Sequence, residues 1–351
     1  MTLHSVDTRT FESSQGLLLD SGERLASFRL AYRTWGQLDS RRSNAVLVCH
    51  ALTGNADVDQ WWPELLAEGR ALDPRRDFVI ASNVLGGCYG STGPASPRPG
   101  CRRHYGPNFP HLTIRDMVRA QARLLEHLGV RRLSLVVGGS MGGMQVLEWA
   151  ALYPQRVEAI APICVSARHS PWCIAWSSAQ RRAIETDPCW RGGWYCAEKG
   201  PEQGLAVARM MALVSYRSRQ SFGRFEREER QPGYFQVESY LDYQGRKLVQ
   251  RFDANSYMVL TRAMDRHDVG AGRGGVAAAL GRLSQPALVV GVDSDVLYPV
   301  EEQRELHRRL PAGRLEILSS RHGHDGFLTE GRDLSERLAA FRRRLTKRSA
   351  A

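Results

Sequence analysis

The chain has 351 residues and carries 48 lysines plus arginines against 37 acidic residues, a formal net charge of +11. The 42% hydrophobic and 24% charged content is that of a soluble globular protein, and no apolar run approaches the roughly 18 residues of a membrane span. Of the 48 basic residues all but Lys199, Lys247 and Lys347 are arginines; they are spread along the chain, and the densest run, Arg342-Arg343-Arg344 with Lys347 and Arg348, reads as a short solvated tail, so neither a nucleic-acid nor a membrane partner is expected.

The first 40 residues read as paired strands, near Gly16–Leu19 and Phe28–Trp35. Buried strands then follow at Ala45–Cys49, Asp77–Ala81, Leu133–Val137, Val157–Ile163, Ala287–Val292 and Leu315–Leu318, alternating with helical patterns, which is the signature of an α/β protein with a mostly parallel sheet. Thr113 and Asp116 open a helix like a capping box, and Met117, Ala120, Leu124, Leu125 and Leu128 continue it at helical spacing to Gly129. From about Ser166 to Gly275 the strand rhythm stops, and helical segments such as Ala175–Thr186 and Leu205–Tyr216 replace it. The expected organisation is a core of residues 1–165 and 276–351, with a helical cap, 166–275, inserted between two strands of one sheet. The glycine-rich run 269–275 follows no strand and lacks a GK[ST], so it reads as a surface return loop rather than a phosphate loop.

Met1 to Arg9 shows no basic or apolar leader pattern, so no signal peptide is expected. Seven cysteines without a CxxC pair, and histidines without HxxxH or HExxH spacing, read as reduced thiols of a cytoplasmic protein with no metal site.

Gly138-Gly139-Ser140-Met141-Gly142 is a G-x-S-x-G between a predicted strand and a predicted helix, the setting of a nucleophile elbow. A serine hydroxyl needs a base, and the base an orienting acid, in the chain order Ser, Asp or Glu, His. After Ala287–Val292 come Asp293 and Asp295, with Asp295 preferred and Asp293 the alternative. After Leu315–Leu318 come His322 and His324, of which His324, between Gly323 and Asp325-Gly326-Phe327-Leu328, is preferred as the base. His50, at the end of an early strand, reads as structural. The backbone N–H groups of Leu52 and Met141 are the expected oxyanion donors.

His50-Ala51-Leu52-Thr53-Gly54, Asn83 through Pro94, Gly138 through Gln145, Val237 through Gly245, Arg251 through Tyr257 and Gly323-His324-Asp325 together resemble the homoserine O-acetyltransferase family of the α/β-hydrolase fold, over residues 15 to 330 and in the same order. The resemblance implies ping-pong acyl transfer from an acyl-coenzyme A, without a bound cofactor. In it Ser140 forms the acyl-enzyme, His324 and Asp295 act on both half-reactions, and an amino-acid hydroxyl is the acceptor. It also implies Arg209 for the acceptor's carboxylate, Tyr216 beside it, Asp325 for its ammonium, a homodimer paired through cap helices, and a place in methionine biosynthesis. The aromatic segment Arg168 to Trp176 equally resembles relatives that acylate serine, so homoserine and serine both stand as acceptors, and acetyl- and succinyl-coenzyme A both as donors. A hydrolase would lack paired groups for a zwitterion, and a non-catalytic binding module would lack the triad.

Overall fold

The computed structural model describes residues 7–101, 103–196, 199–225 and 227–349. The first six residues, part of the stretch in which no leader was read, and the side chains of Lys347 and Arg348 lie outside what is described.

The chain opens with β1 (Arg9–Ser13), the small hairpin β2 (Leu17–Leu18) and β3 (Arg24–Leu25), then β4 (Phe28–Trp35) and β5 (Ala45–Cys49). Helix α1 (Val58–Trp61), β6 (Phe78–Ser82), α2 (Ile114–His127), β7 (Leu135–Gly139), α3 (Met141–Leu152) and β8 (Ile160–Ile163) follow. After β8 come α4 (Pro171–Glu185), α5 (Glu202–Tyr216), α6 (Arg219–Phe222), the hairpin β9 (Glu229–Gln231) and β10 (Tyr234–Phe235), α7 (Gln236–Val249), α8 (Ala254–Asp265) and α9 (Val276–Gly281). The chain finishes with β11 (Ala287–Val292), α10 (Val300–Arg309), β12 (Gly313–Leu318), α11 (Gly326–Thr329) and α12 (Gly331–Ser349).

One eight-stranded sheet, in the order β1-β4-β6-β5-β7-β8-β11-β12, runs through the molecule. The pairs β1/β4 and β4/β6 are antiparallel, and every pair from β6 to β12 is parallel. The continuous apolar run of β5 follows from burial on both faces. Ala45, Leu47 and Cys49 enter the core beneath α2 and α3, whereas Val46 and Val48 enter the opposite core, closed by Trp62 and by Leu334, Leu338 and Phe341 of α12. Helix α2 starts as the capping box foresaw: the Thr113 side chain accepts from the N–H of Asp116, and the Asp116 carboxylate accepts from the N–H of Thr113 at 2.9 Å. Several strands sit one to three residues from their predicted bounds; Leu133 and Val157, expected inside strands, form only an isolated bridge with each other.

Because β8 and β11 pair directly, everything from α4 to α9 is an insertion at one point of the sheet. Its exit is fastened to α3 by ions: Arg273 grips both carboxylate oxygens of the buried Glu148, at 3.1 and 2.7 Å, and Arg115 of α2 reaches the same group at 3.3 Å. The C-terminal basic run is not a free tail. It continues α12, and Arg342 forms a bidentate pair with the buried Asp77 at 2.7 and 2.6 Å, because the helix lies against the sheet face.

Candidate functional site

Four neighbouring parallel strands, β7, β8, β11 and β12, end on the same side, and the loops after β7, β11 and β12 deliver the candidate residues. β7 runs into Ser140, whose backbone sits at φ 57° and ψ −124°, a strained conformation for a residue with a Cβ. Helix α3 starts at the next residue, which puts the serine at its N-terminus and lifts the side chain off the strand end. β8, paired with β7 up to Gly139 and Ile163, ends in Cys164, also at positive φ (46°). β11 leads to the Asp295 turn, and the loop after β12 carries His324.

His324 Nδ1 lies 2.7 Å from Asp295 Oδ2, with both residues buried. The other carboxylate oxygen accepts from the N–H groups of Leu297 and Tyr298 at 2.8 and 2.9 Å, so Asp295 is fixed before it meets the imidazole. Burial pushes the imidazole pKa down, but the charge and hydrogen bond of Asp295 and the charge of Asp325 outweigh it, and the net shift is upward. His324 Nε2 is buried and has no hydrogen-bond partner among the described residues, leaving it free for a proton from a reacting hydroxyl. Phe327, whose ring is 5.4 Å from that of His324, packs over Gly139 immediately before the serine, and so seats the histidine loop against the elbow.

Asp293 and His322, the second members of the two sequence pairs, go elsewhere. Asp293 accepts from the Ser319 hydroxyl at 2.8 Å and the Ser320 N–H at 3.0 Å, closing the end of β12. His322 Nδ1 faces Arg217 at 3.4 Å. Cys164 Sγ, an Asp295 oxygen and a His324 nitrogen lie within 4.8 Å of one another, the one such group of potential metal ligands among the described residues. Burial first, and then the Asp295 charge, push the Cys164 thiol well up.

The expected oxyanion donors sit on either side of the elbow. No acceptor among the described residues takes the N–H of Leu52 or of Met141. His50 holds the first loop: its Nδ1–H donates to Ala51 O at 2.8 Å and its Nε2 accepts from Val84 N–H at 3.1 Å, and burial lowers its pKa to about 4. Gln145, which the sequence reading left without a role, spans the two sides. Its Nε2 donates to His50 O and Met141 O at 3.4 and 3.3 Å, while its Oε1 accepts from Gln121, which in turn accepts from Trp149 Nε1 at 2.8 Å.

From the insertion, α5 brings Arg209 and Tyr216. The Arg209 guanidinium lies 5.7 Å from the Tyr216 ring, and that ring is 5.7 Å from His324. Arg209 makes no ion pair among the described residues. Asp325 is paired: its Oδ2 is 3.0 Å from Nε of Arg217, a residue not singled out from the sequence because nothing distinguishes it from 44 other arginines. Gly323, at φ 65°, allows the histidine loop to press on α5, since a Cβ there would meet Tyr216 O at 2.6 Å and Ser218 N at 2.7 Å. The acid turn is held from the insertion as well, by Trp172 Nε1 donating to Val296 O at 2.8 Å and by Cys173 Sγ at 3.2 Å from Leu297 O.

A mostly parallel sheet, a serine at a strand-to-helix elbow and a buried Asp–His pair later in the chain define an enzyme of the α/β-hydrolase fold, and the profile of the alpha/beta hydrolase fold matches residues 44–331. The homoserine O-acetyltransferase of Chlorobaculum tepidum is 54% identical over 96% of this chain and 95% of its own. The chain belongs to the homoserine O-acetyltransferase family, acyltransferases built on the hydrolase scaffold. Among solved structures, homoserine O-acetyltransferase from Bacillus anthracis shares the fold with a TM-score of 0.91 at 24% identity, covering 97% of this chain and 98% of that one. Esterase E22 has a TM-score of 0.90 at 25% identity, covering 96% of this chain and 100% of that one.

Proposed function

We propose that this chain transfers an acetyl group from acetyl-coenzyme A to the hydroxyl of L-homoserine through an acyl-enzyme on Ser140. Ser140 Oγ attacks the thioester carbonyl as His324 Nε2 takes its proton, with Asp295 holding the imidazole and stabilising its charge. The N–H groups of Leu52 and Met141 receive the developing oxyanion. Collapse expels the coenzyme A thiolate, protonated by His324. The homoserine hydroxyl then gives its proton to His324 and attacks the acyl-serine, and the second collapse returns the proton to Ser140.

Arg209 takes the acceptor's carboxylate as a bidentate partner, Tyr216 lines the same wall and Asp325 takes the ammonium. What supports this reading is a guanidinium with no ion pair among the described residues, Arg209, beside the Tyr216 ring that adjoins the His324 imidazole, together with a carboxylate, Asp325, next to that histidine in the chain: two charges suited to a zwitterion rather than to water. Residues 166–275 serve as a cap over a core of 1–165 and 276–351, and the working unit is a cytoplasmic homodimer acting on small molecules, with no bound cofactor or metal and no nucleic-acid or membrane partner.

Acetyl- or succinyl-coenzyme A, each offered with homoserine, serine or water alone, tests the assignment through release of free thiol. Thiol release that needs acetyl-coenzyme A and homoserine supports it. Turnover with succinyl-coenzyme A or serine reassigns donor or acceptor, and equal turnover with water makes the protein a hydrolase.

A further inference from the structure

Asp325 poses an electrostatic problem. It follows the catalytic histidine directly, and its side chain keeps only 19% exposure. A carboxyl in such a place tends to take up a proton and lose its attraction for an ammonium group. Burial raises its pKa and the net shift is upward, while Arg217 foremost, then Arg209 and His324, limit that rise.

Arg217 answers that problem by position. It is the first residue past α5, one residue after Tyr216, and its Nε is 3.0 Å from Asp325 Oδ2. Its Nη1 is 3.4 Å from His322 Nδ1, so the guanidinium straddles the histidine loop on both sides of His324. The approach is set by the backbone. Gly323 leaves no room for a Cβ against Arg217 C at 2.9 Å, and the Ser218 hydroxyl donates to Arg321 O. Arg209, eight residues earlier in the middle of α5, has no such partner among the described residues, so the two arginines are used differently.

We infer that Arg217 is a positioning residue for the amino-acid acceptor: it holds Asp325 ionised and oriented, so that Asp325 binds the acceptor's ammonium while Arg209 binds its carboxylate. The inference rests on the acyl-transfer reading above and adds the residue on which its ammonium site depends. Arg217 touches neither the acyl group nor the reacting hydroxyl, so its loss falls on acceptor affinity.

A double-mutant cycle decides it, with Arg217→Gln, Asp325→Asn and the double variant assayed in the full-length enzyme at saturating acetyl-coenzyme A. Arg217→Gln is expected to raise the homoserine KM roughly 10- to 100-fold, with kcat changed far less. Arg217→Gln added to Asp325→Asn is expected to cost nothing further, because both act through one carboxylate. Arg217→Lys, which keeps the charge but loses the planar guanidinium, falls between, and its own cycle with Asp325→Asn reads the same coupling if Arg217→Gln does not fold. Additive losses, or a fall in kcat with an unchanged KM, overturn the assignment. Wild-type enzyme that acetylates serine instead of homoserine overturns only the acceptor's identity, and the cycle is then read on serine. Wild-type enzyme that turns over with water alone overturns both readings.

Discussion

Gln145 Nε2 stands between the carbonyl oxygens of His50 and Met141, 3.4 Å from one and 3.3 Å from the other, and so ties the end of β5 to the start of α3. The two N–H groups proposed for the oxyanion belong to the segments it ties. A pair of donors works only if its spacing is set before the charge develops, and here a buried amide sets it.

Gln145→Leu therefore should slow acyl-enzyme formation roughly 10- to 100-fold, the usual scale for a misplacement of about 1 Å. It should also cost about 1–3 kcal/mol of stability, since the Gln121 amide is left without its partner in the core. Stopped-flow thiol release and urea unfolding measure the two effects. A variant that loses stability but keeps the burst rate shows that the amide only packs.

Asp295→Asn should lower the rate of acyl transfer by about 10³–10⁴-fold through the wrong imidazole tautomer, and Asp293→Asn far less, because an amide oxygen still accepts from Ser320 N–H. The base works neutral, so its rate falls as pH drops through the His324 pKa, which lies above the ordinary histidine value. Asp325 contributes to that rise, and Asp325→Asn should move the acid limb of the burst rate to lower pH. A limb that stays in place detaches the Asp325 charge from the imidazole.

Arg209→Ala should raise the homoserine KM roughly 10- to 150-fold, the range for a hydrogen bond to a charged group, and leave acyl-enzyme formation close to wild type. Burst kinetics with acetyl-coenzyme A alone, followed by homoserine titration, separates the two half-reactions. Equal loss in both removes Arg209 from the acceptor site.

Three histidines are buried in their neutral form. Burial lowers His50 to about 4, and His169 and His267 to about 3. In the unfolded chain each titrates near the ordinary value of about 6.5, so between the two values the unfolded state binds more protons. The stability they contribute is complete above that value and is lost as pH falls toward the folded pKa values, by about 3 kcal/mol for His50 alone. Replacing His50 by Gln should flatten the pH dependence of the unfolding free energy by about 1.4 kcal/mol per pH unit across that window. Unfolding curves at pH 7 and pH 5 give the slope, and an unchanged slope shows that His50 is not the titrating group.

The sheet and the elbow were legible because their signals are local: an apolar run of five residues, and a serine among glycines at a strand's end. Asp295 and Asp293 were not separable in the same way. Both follow β11, and only the tight turn that offers the Leu297 and Tyr298 N–H groups to one of them decides which faces the histidine. Arg217 and Gln145 were invisible for a related reason, since each takes its meaning from a partner far away in sequence, Asp325 and His50. In the basic C-terminus Arg343 and Arg344 are exposed as a solvated run would be, and only the pairing of Arg342 was not foreseen, because Asp77 lies 265 residues before it.

The insertion leaves and rejoins the sheet through adjacent strands, and its two ends are stitched together by the bridge between Arg168 and Asp268, with His169 N–H donating to His267 O at 2.9 Å and Val269 N–H to Ala167 O at 3.0 Å. No strand pairing of the main sheet depends on what lies between those stitches. A swap at the stitches would thus replace the wall proposed to choose the acceptor and keep the strands that lead to Ser140, Asp295 and His324, provided the new segment restores the contacts that Trp172 and Cys173 make with the acid turn.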